Sequence, residues 1–371
     1  MTRRLLLAGG GHSHIEVLRR WALAPEPGVT VTLLSPDRWT AYSGMLPGLI
    51  AGHYRHHECH IDLDALCAAA GATRIAAMVT ALNPTAQEVV TSRGDIIRYD
   101  RLAIDIGSTP ATGGIAGAGR LGIPIKPVAD FLAQWQILCS AALNAPRPLE
   151  LAVVGGGAAG VETILAMQHR IATEGGRARF TLVGDAAQLL PAQPPAVRQR
   201  FAAVFAARGI GLRLGQTVTG VRADGLEFAD GSTLACDEVF WINGAAPAPW
   251  LRASGIHCDA GGFLSIDATL RSVSYPDVFG SGDAAGMGHA PRPKSGVYAV
   301  RQGPPLHDNL RRSLRGEPLS EYRPQRRALA LISTGDRQAI AVYGPLSCHG
   351  AWVWRWKDNI DRAFMARYRV S

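Results

Sequence analysis

The sequence predicts an α/β fold, with two nested, three-layer Rossmann-like domains and a small C-terminal α/β region. Two observations carry this. A strand–glycine turn–helix–strand unit occurs twice, and each copy leads on to an antiparallel ribbon and a buried strand that ends at glycine. The second copy also lies between two pieces of the first, so one domain is inserted into the other.

Unit one opens with an apolar run at 4–8, followed by Gly9-Gly10-Gly11-His12-Ser13-His14. Ile15, Leu18 and Ala22 then share one helical face, and 29–34 reads as the second strand. Unit two opens at 151–154, followed by Gly155-Gly156-Gly157-Ala158-Ala159-Gly160. Val161, Ile164, Leu165 and Gln168 share its helical face, and 179–183 is its second strand. Short apolar runs suit a parallel sheet buried on both faces, and spacings of three and four mark amphipathic helices. The first ribbon (88–91, a turn at 93–95, then 96–99) leads into a strand ending at Gly107. Its counterpart (225–228, a turn at 230–231, then 233–234) leads into a strand ending at Gly244. Structure-breaking stretches near 110–125 and 245–250 set the boundaries. They give a first domain of 1–115 and 245–323, an inserted domain of 116–244, and a C-terminal region of 324–371. That last region holds two strands, 328–333 and 338–343, and a closing helix over 352–368.

The bulk properties narrow the function. With 371 residues, 47% of them apolar and 18% charged, the chain can build two or three full cores and is not disordered. The net charge of +8 raises nucleic-acid binding, but the arginines are scattered and form no known module, so none is expected. An acidic cofactor or an anionic membrane surface accounts for the balance as well. Only Lys126, Lys294 and Lys357 are lysines. Six cysteines without a CxxC pair argue against a local redox disulfide or zinc ribbon and suit a reducing compartment. The apolar core of the opening residues is too short for a signal peptide, and no run is long enough to span a bilayer. A cytoplasmic protein is expected, with peripheral contact at the inner face of the membrane left open.

Glycine turns between strand and helix let backbone N–H groups approach a pyrophosphate at the positive end of a helix dipole. Two copies point to two dinucleotide sites, one on Gly9 to His14 and one on Gly155, Gly157, Ala158, Ala159 and Gly160, with Gly107 and Gly244 beside them. His14 replaces the third glycine of the first turn, so that helix should pack farther from its strand. The ribose-binding acid is displaced in both units. Ser35 stands in its place with Asp37 and Arg38 following, and in the second unit Asp185 comes one residue late. With no arginine directly after it, Asp185 favours NADH, leaving NADPH open; the alternative is a helix N-cap. His53, His56, His57 and His60 could share a helical face, but a site entrance or plain surface accounts for them and no metal is expected.

The segment 269–283 ends a buried strand at Gly282-Asp283. It resembles the second FAD signature of the pyridine nucleotide-disulfide oxidoreductase superfamily, which implies FAD in the first domain with Asp283 on its ribityl chain. Residues 291–303 look like the segment of type II NADH dehydrogenases and sulfide:quinone reductases that aims a helix N-terminus at the flavin pyrimidine. The resemblance puts Ser295, Gly296 and Val297 there, with Lys294 beside the anionic reduced flavin; a solvated surface lysine is the alternative. Glu162 matches a glutamate those families place where nicotinamide docks, to relay a proton or orient the ring; a plain helix acid is the alternative. The loop 42–52, with Ser43, Gly44 and Met45, resembles their flavin-flanking loop. With 58–63 and 354–358, the whole chain is similar to flavoproteins fused to, or encoded beside, selenophosphate synthetase. The resemblance implies an FAD-dependent NAD(P)H oxidoreductase that passes hydride to flavin and electrons to a quinone or similar acceptor. Oxidation of sulfide or a selenium compound, using the separated Cys139 and Cys348, is one alternative; a non-enzymatic flavin and NADH sensor is another.

In the closing helix, Trp352, Trp356, Ile360, Ala363 and Phe364 form an apolar stripe. Such a stripe suits a membrane interface or, equally, a core or homodimer face.

Overall fold

The computed structural model describes residues 2–369. Two five-stranded parallel sheets organise it. The first runs Val278–Gly280, Arg101–Ile104, Arg3–Ala8, Val29–Leu34, Thr73–Ile75. The second runs Gly122–Pro124, Glu238–Trp241, Leu149–Val154, Ala178–Gly184, Gly211–Leu214. In each, the strand before a glycine turn lies at the centre, so both turns open at the carboxyl edge of a sheet, where α/β folds bind ligands. Leu5, Leu6 and Leu7 are buried without alternation because both faces are covered, the core including helix residues Ile15 and Leu306 as well as ribbon residues Val79, Leu82 and Val89. Leu5, Leu6 and Leu7 each contribute about 1.5–3 kcal/mol of hydrophobic stabilisation.

Both ribbons are three-stranded meanders, Val79–Asn83 with Glu88–Thr91 and Ile96–Arg98, and Val218–Arg222 with Gly225–Phe228 and Thr233–Ala235. The first strand of each escaped the sequence reading. Each carries a register shift, between Val79 and Ala81 and between Val218 and Gly220, which breaks the alternation that marks a strand.

The helices His12–Leu23 and Gly296–Arg315 pack against each other beside the first sheet. The Ser13 hydroxyl donates to Ala299 O at 2.7 Å, and a Cβ at Gly303 would sit 2.6 Å from Glu16 Cβ. The two glycine turns differ at their third position. A side chain at Gly160 would collide with the Gly155 carbonyl. The first turn instead seats the buried His14 ring, whose Nδ1–H donates to Gly9 O at 2.7 Å.

The C-terminal region is a three-stranded antiparallel sheet, Ala330–Ser333, Ala339–Tyr343 and Leu346–Gly350, followed by the helix Ala351–Ala366. Its third strand was not expected, since it is an exposed edge without apolar alternation. The helix also sits differently from a core stripe. Trp352, Trp356 and Ile360 are 52%, 40% and 42% exposed, whereas Val353, Lys357, Asp361, Phe364 and Met365 are buried. Of the anticipated stripe, only Phe364 points inward.

Gly303→Val should destabilise the protein by about 1–3 kcal/mol through overpacking. A lower urea midpoint with an unchanged slope would register it; an unchanged midpoint would show that the two helices are not in close contact.

Candidate functional site

The first glycine turn is shaped around a residue that the sequence reading missed, Asp105. This carboxylate follows the strand Arg101–Ile104 and is 2% exposed. Its Oδ2 accepts the backbone N–H of Ser13 at 2.8 Å and of His14 at 3.3 Å, so it caps the helix from outside. A side chain at Gly11 would collide with the Asp105 carboxylate, and one at Gly9 with its carbonyl. The signal was present as a lone acid in the apolar run Leu102-Ala103-Ile104-Asp105-Ile106. Ser35 lies under Gly10, and its hydroxyl donates to Asp37 O at 3.1 Å. Asp37 is exposed. Arg38 pairs with Asp62 at 2.6 Å and lies over the Trp39 ring.

Gly282, in the left-handed region at φ +60°, also leaves no room for a side chain beside Asp105. The two segments predicted to hold one cofactor therefore meet at this carboxylate. Next to Gly282, Asp283 accepts from Lys126 Nζ at 3.1 Å and Ser108 Oγ at 3.3 Å. Ser43 Oγ lies against Gly296, which brings the 43–45 loop onto the helix terminus at 295–297. Met45 is fully buried beneath it. Lys294 lines the same cavity, of about 950 Å³, as Gly282, Asp283 and Ser295. Its ammonium donates to Ala285 O and lies 3.9 Å from the centre of the Phe263 ring. Burial there pushes its pKa down, while Asp259 and Asp283 pull it up.

The second glycine turn is open. A side chain at Gly157 would meet nothing, no side chain caps the helix Ala158–Thr173, and its first turn holds no acid. Its terminal N–H groups are therefore available to an anion. Ala158 and Ala159 form the first helical positions, and Gly244 stands at φ +44° near Ala111. Asp185 is exposed and accepts Ala186 N–H at 2.9 Å. It caps no helix, because the next one is Pro195–Ala207.

Where the second-turn helix meets the C-terminal region, half-buried Glu162 stands near the buried Lys357 and Asp361. Glu162, on the second-turn helix, accepts Ser333 N–H at 2.7 Å. Burial pushes its carboxyl up to about 7, although Lys357 and the Ser333 N–H oppose this. Lys357 bonds Asp361 Oδ2 at 2.6 Å and also donates to Gly44 O. Asp361 is raised by burial, against the pull of Lys357, and faces the Tyr42 hydroxyl. Tyr42 stacks on Phe364 with centroids 4.1 Å apart. Lys357 and Asp361 lie off the apolar stripe read for the last helix. Their i, i+4 spacing was the available sign that they could pair.

Elsewhere, His53 Nε2–H donates to Gly335 O, whereas His56 and His60 stack at 3.7 Å. All six cysteines are free. The first site fits an FAD: glycines stand where side chains would collide, and His12 Nε2 and Ser281 Oγ are buried without a partner.

The sequence profile of the pyridine nucleotide-disulphide oxidoreductase family matches residues 4–303. Demethylphylloquinone reductase NdbB of Synechocystis sp. is 26% identical over 348 residues, covering 90% of this chain and 85% of that protein. An NADH dehydrogenase-like protein of Mycobacterium tuberculosis is 26% identical, covering 61% of this chain and 58% of its own length. The crystal structure of the sulfide:quinone oxidoreductase from Aquifex aeolicus superposes with a TM-score of 0.83 at 18% identity, covering 99% and 92% of the two chains. At that identity it speaks to the fold alone.

The Glu162 carboxyl sits at about 7 instead of its ordinary 4.5. The folded state therefore binds more protons between those values, and stability falls as pH rises through that window. Glu162→Gln should lack this fall, opening a gap of about 1–3 kcal/mol in its favour at about pH 8 relative to about pH 5. Parallel pH profiles of Tm for the two proteins would contradict the raised carboxyl.

Proposed function

We propose a function on the premise that the chain belongs to the pyridine nucleotide-disulphide oxidoreductase family, whose profile spans residues 4–303. It is an FAD-dependent NAD(P)H dehydrogenase that delivers electrons to a quinone or similar small acceptor. The observation that carries this reading is the Glu162–Lys357–Asp361 cluster, set where the second-turn helix, the 43–45 loop and the last helix converge.

In this reading the backbone of Gly9 to Gly11 and His12 takes the FAD diphosphate, Ser35 and Asp37 the adenosine ribose, and Asp283 the ribityl chain. Ser43 to Met45 and Ser295 to Val297 flank the ring. Gly155, Gly157 to Gly160 and Gly244 take the nicotinamide dinucleotide, with exposed Asp185 favouring NADH over NADPH. Bound there, FAD would supply the electron chemistry between the reduced nicotinamide and the acceptor. The chain supplies position and protons. A carboxyl near 7 is partly protonated at neutral pH, the condition under which an acid–base group exchanges protons most effectively. Lys357, paired with Asp361 and anchored on Gly44 O, holds a positive charge beside that carboxyl and fixes the loop. A sulfur relay is disfavoured because burial raises the Cys139 thiol to about 11, keeping it protonated, while Cys348 stands exposed on the edge strand Leu346–Gly350.

The last helix supports a place at a lipid surface, where quinones dissolve. Trp352 and Trp356 stack outward beside exposed Ile360, and Tyr343 and Leu346 stand exposed at the turn of the adjoining hairpin. No helix among the described residues is long and apolar enough to cross a membrane. A cytoplasmic protein held at the inner face of the membrane fits these features and the free thiols.

Holoprotein mixed anaerobically with NADH should bleach, and more slowly with NADPH; added quinones should then restore the colour. Glu162→Gln should slow that reoxidation by about 10²-fold. FAD that neither nucleotide bleaches would sink the reading. In flotation with anionic vesicles, replacing Trp352, Trp356 and Ile360 by Ser should cut bound protein by about tenfold or more. Turnover of a water-soluble quinone should stay unchanged. A stable dimer that ignores vesicles would assign the stripe to self-association instead.

A further inference from the structure

Asp105 changes what the first glycine turn can offer a phosphate. Its carboxylate already takes the Ser13 and His14 N–H groups, donors that a helix terminus otherwise presents to an anion. A second carboxylate, Asp283, belongs to the same site, where it meets Lys126 and Ser108. A diphosphate would add further negative charge to this carboxylate pair. Lys126 is committed to Asp283 at 3.1 Å and Arg38 to Asp62 at 2.6 Å.

At the turn itself stands His12, the first residue of the helix. Its ring is packed beside Tyr42 and Phe364, with centroids at 5.7 and 6.3 Å. Its Nε2 is buried and has no partner in the protein. Burial pushes its pKa down; Asp105 and Asp283 pull it up, and Lys126 pulls it down.

We infer that His12 is the proton-accepting partner of the FAD diphosphate, neutral before FAD binds and protonated once the diphosphate is seated, with Asp105 and Asp283 steadying the imidazolium. The inference rests on the reading of the first turn as the FAD site. Its sign follows from linkage: a histidine pKa raised by FAD makes binding strongest at low pH. The gain is lost as pH climbs through the pKa of the FAD-bound state.

The test is FAD affinity of the full-length apoprotein, read from flavin fluorescence between about pH 5.5 and about pH 9. Calorimetry in two buffers of different ionisation enthalpy counts the protons. Affinity should fall by up to about tenfold per pH unit within the window, with close to one proton taken up per FAD near neutrality. His12→Phe, which keeps a ring against Tyr42 and Phe364, should flatten the profile at the wild-type high-pH affinity. Asp105→Asn, which can still accept the two N–H groups, should move the window to lower pH. Should His12→Phe not fold, the wild-type proton count and the Asp105→Asn shift decide the matter. Affinity independent of pH, or a slope that survives in His12→Phe, overturns the inference. Failure to take up FAD at any pH overturns the underlying reading instead, and the two results cannot be confused.

Discussion

The buried Lys357–Asp361 pair ties the parts of this protein together. A charge pair at that depth is costly to desolvate, and leaving either partner alone typically destabilises by about 3–5 kcal/mol. The cost is offset only because every end is used. Lys357 reaches the carbonyl of Gly44 in the loop of the first half, and lies close enough to Glu162 of the inserted half to lower its pKa. Asp361 takes the ammonium and faces Tyr42. One ion pair on the last helix therefore registers the 43–45 loop, the second-turn helix and the C-terminal sheet against one another.

The same pair explains why the closing helix looks inverted. An amphipathic helix ordinarily turns its apolar stripe to the core. Here Val353, Phe364 and Met365 suffice for packing, and the face between them carries the charges that complete the site. Trp352, Trp356 and Ile360 are displaced outward as a consequence. The exposed tryptophan stripe is thus the counterpart of a buried, charged interior face.

The two glycine turns show how one pattern diverges. Both open at the carboxyl edge of a central strand, but the first is capped by Asp105 and lined by buried His14, while the second presents uncapped N–H groups and requires glycine at 160. The first is a rigid seat built from side chains that meet across the fold. The second is a simple terminus that a ligand can enter and leave. That contrast matches a cofactor that stays and a substrate that turns over.

The two sheets, the paired turns and the insertion of one unit into the other were legible in the sequence, because strand burial and glycine spacing are local and occur twice. The meander strands at 79–83 and 218–222 were not, since a bulge in each erases the period of two. The contact of the Gly9–Gly11 turn with Gly282 could be anticipated from motifs, but the residue that joins them, Asp105, could not. Nor could the partners of Lys294, Lys126 and Lys357. A side chain's direction and its partner depend on segments far away in the chain, such as Gly44 against Lys357. Hydrophobic periodicity and turn chemistry are written residue by residue, so the sequence by itself determined the architecture. Which charges became buried, and what they face, was decided only when distant segments packed, because desolvation and pairing are properties of the assembled interior.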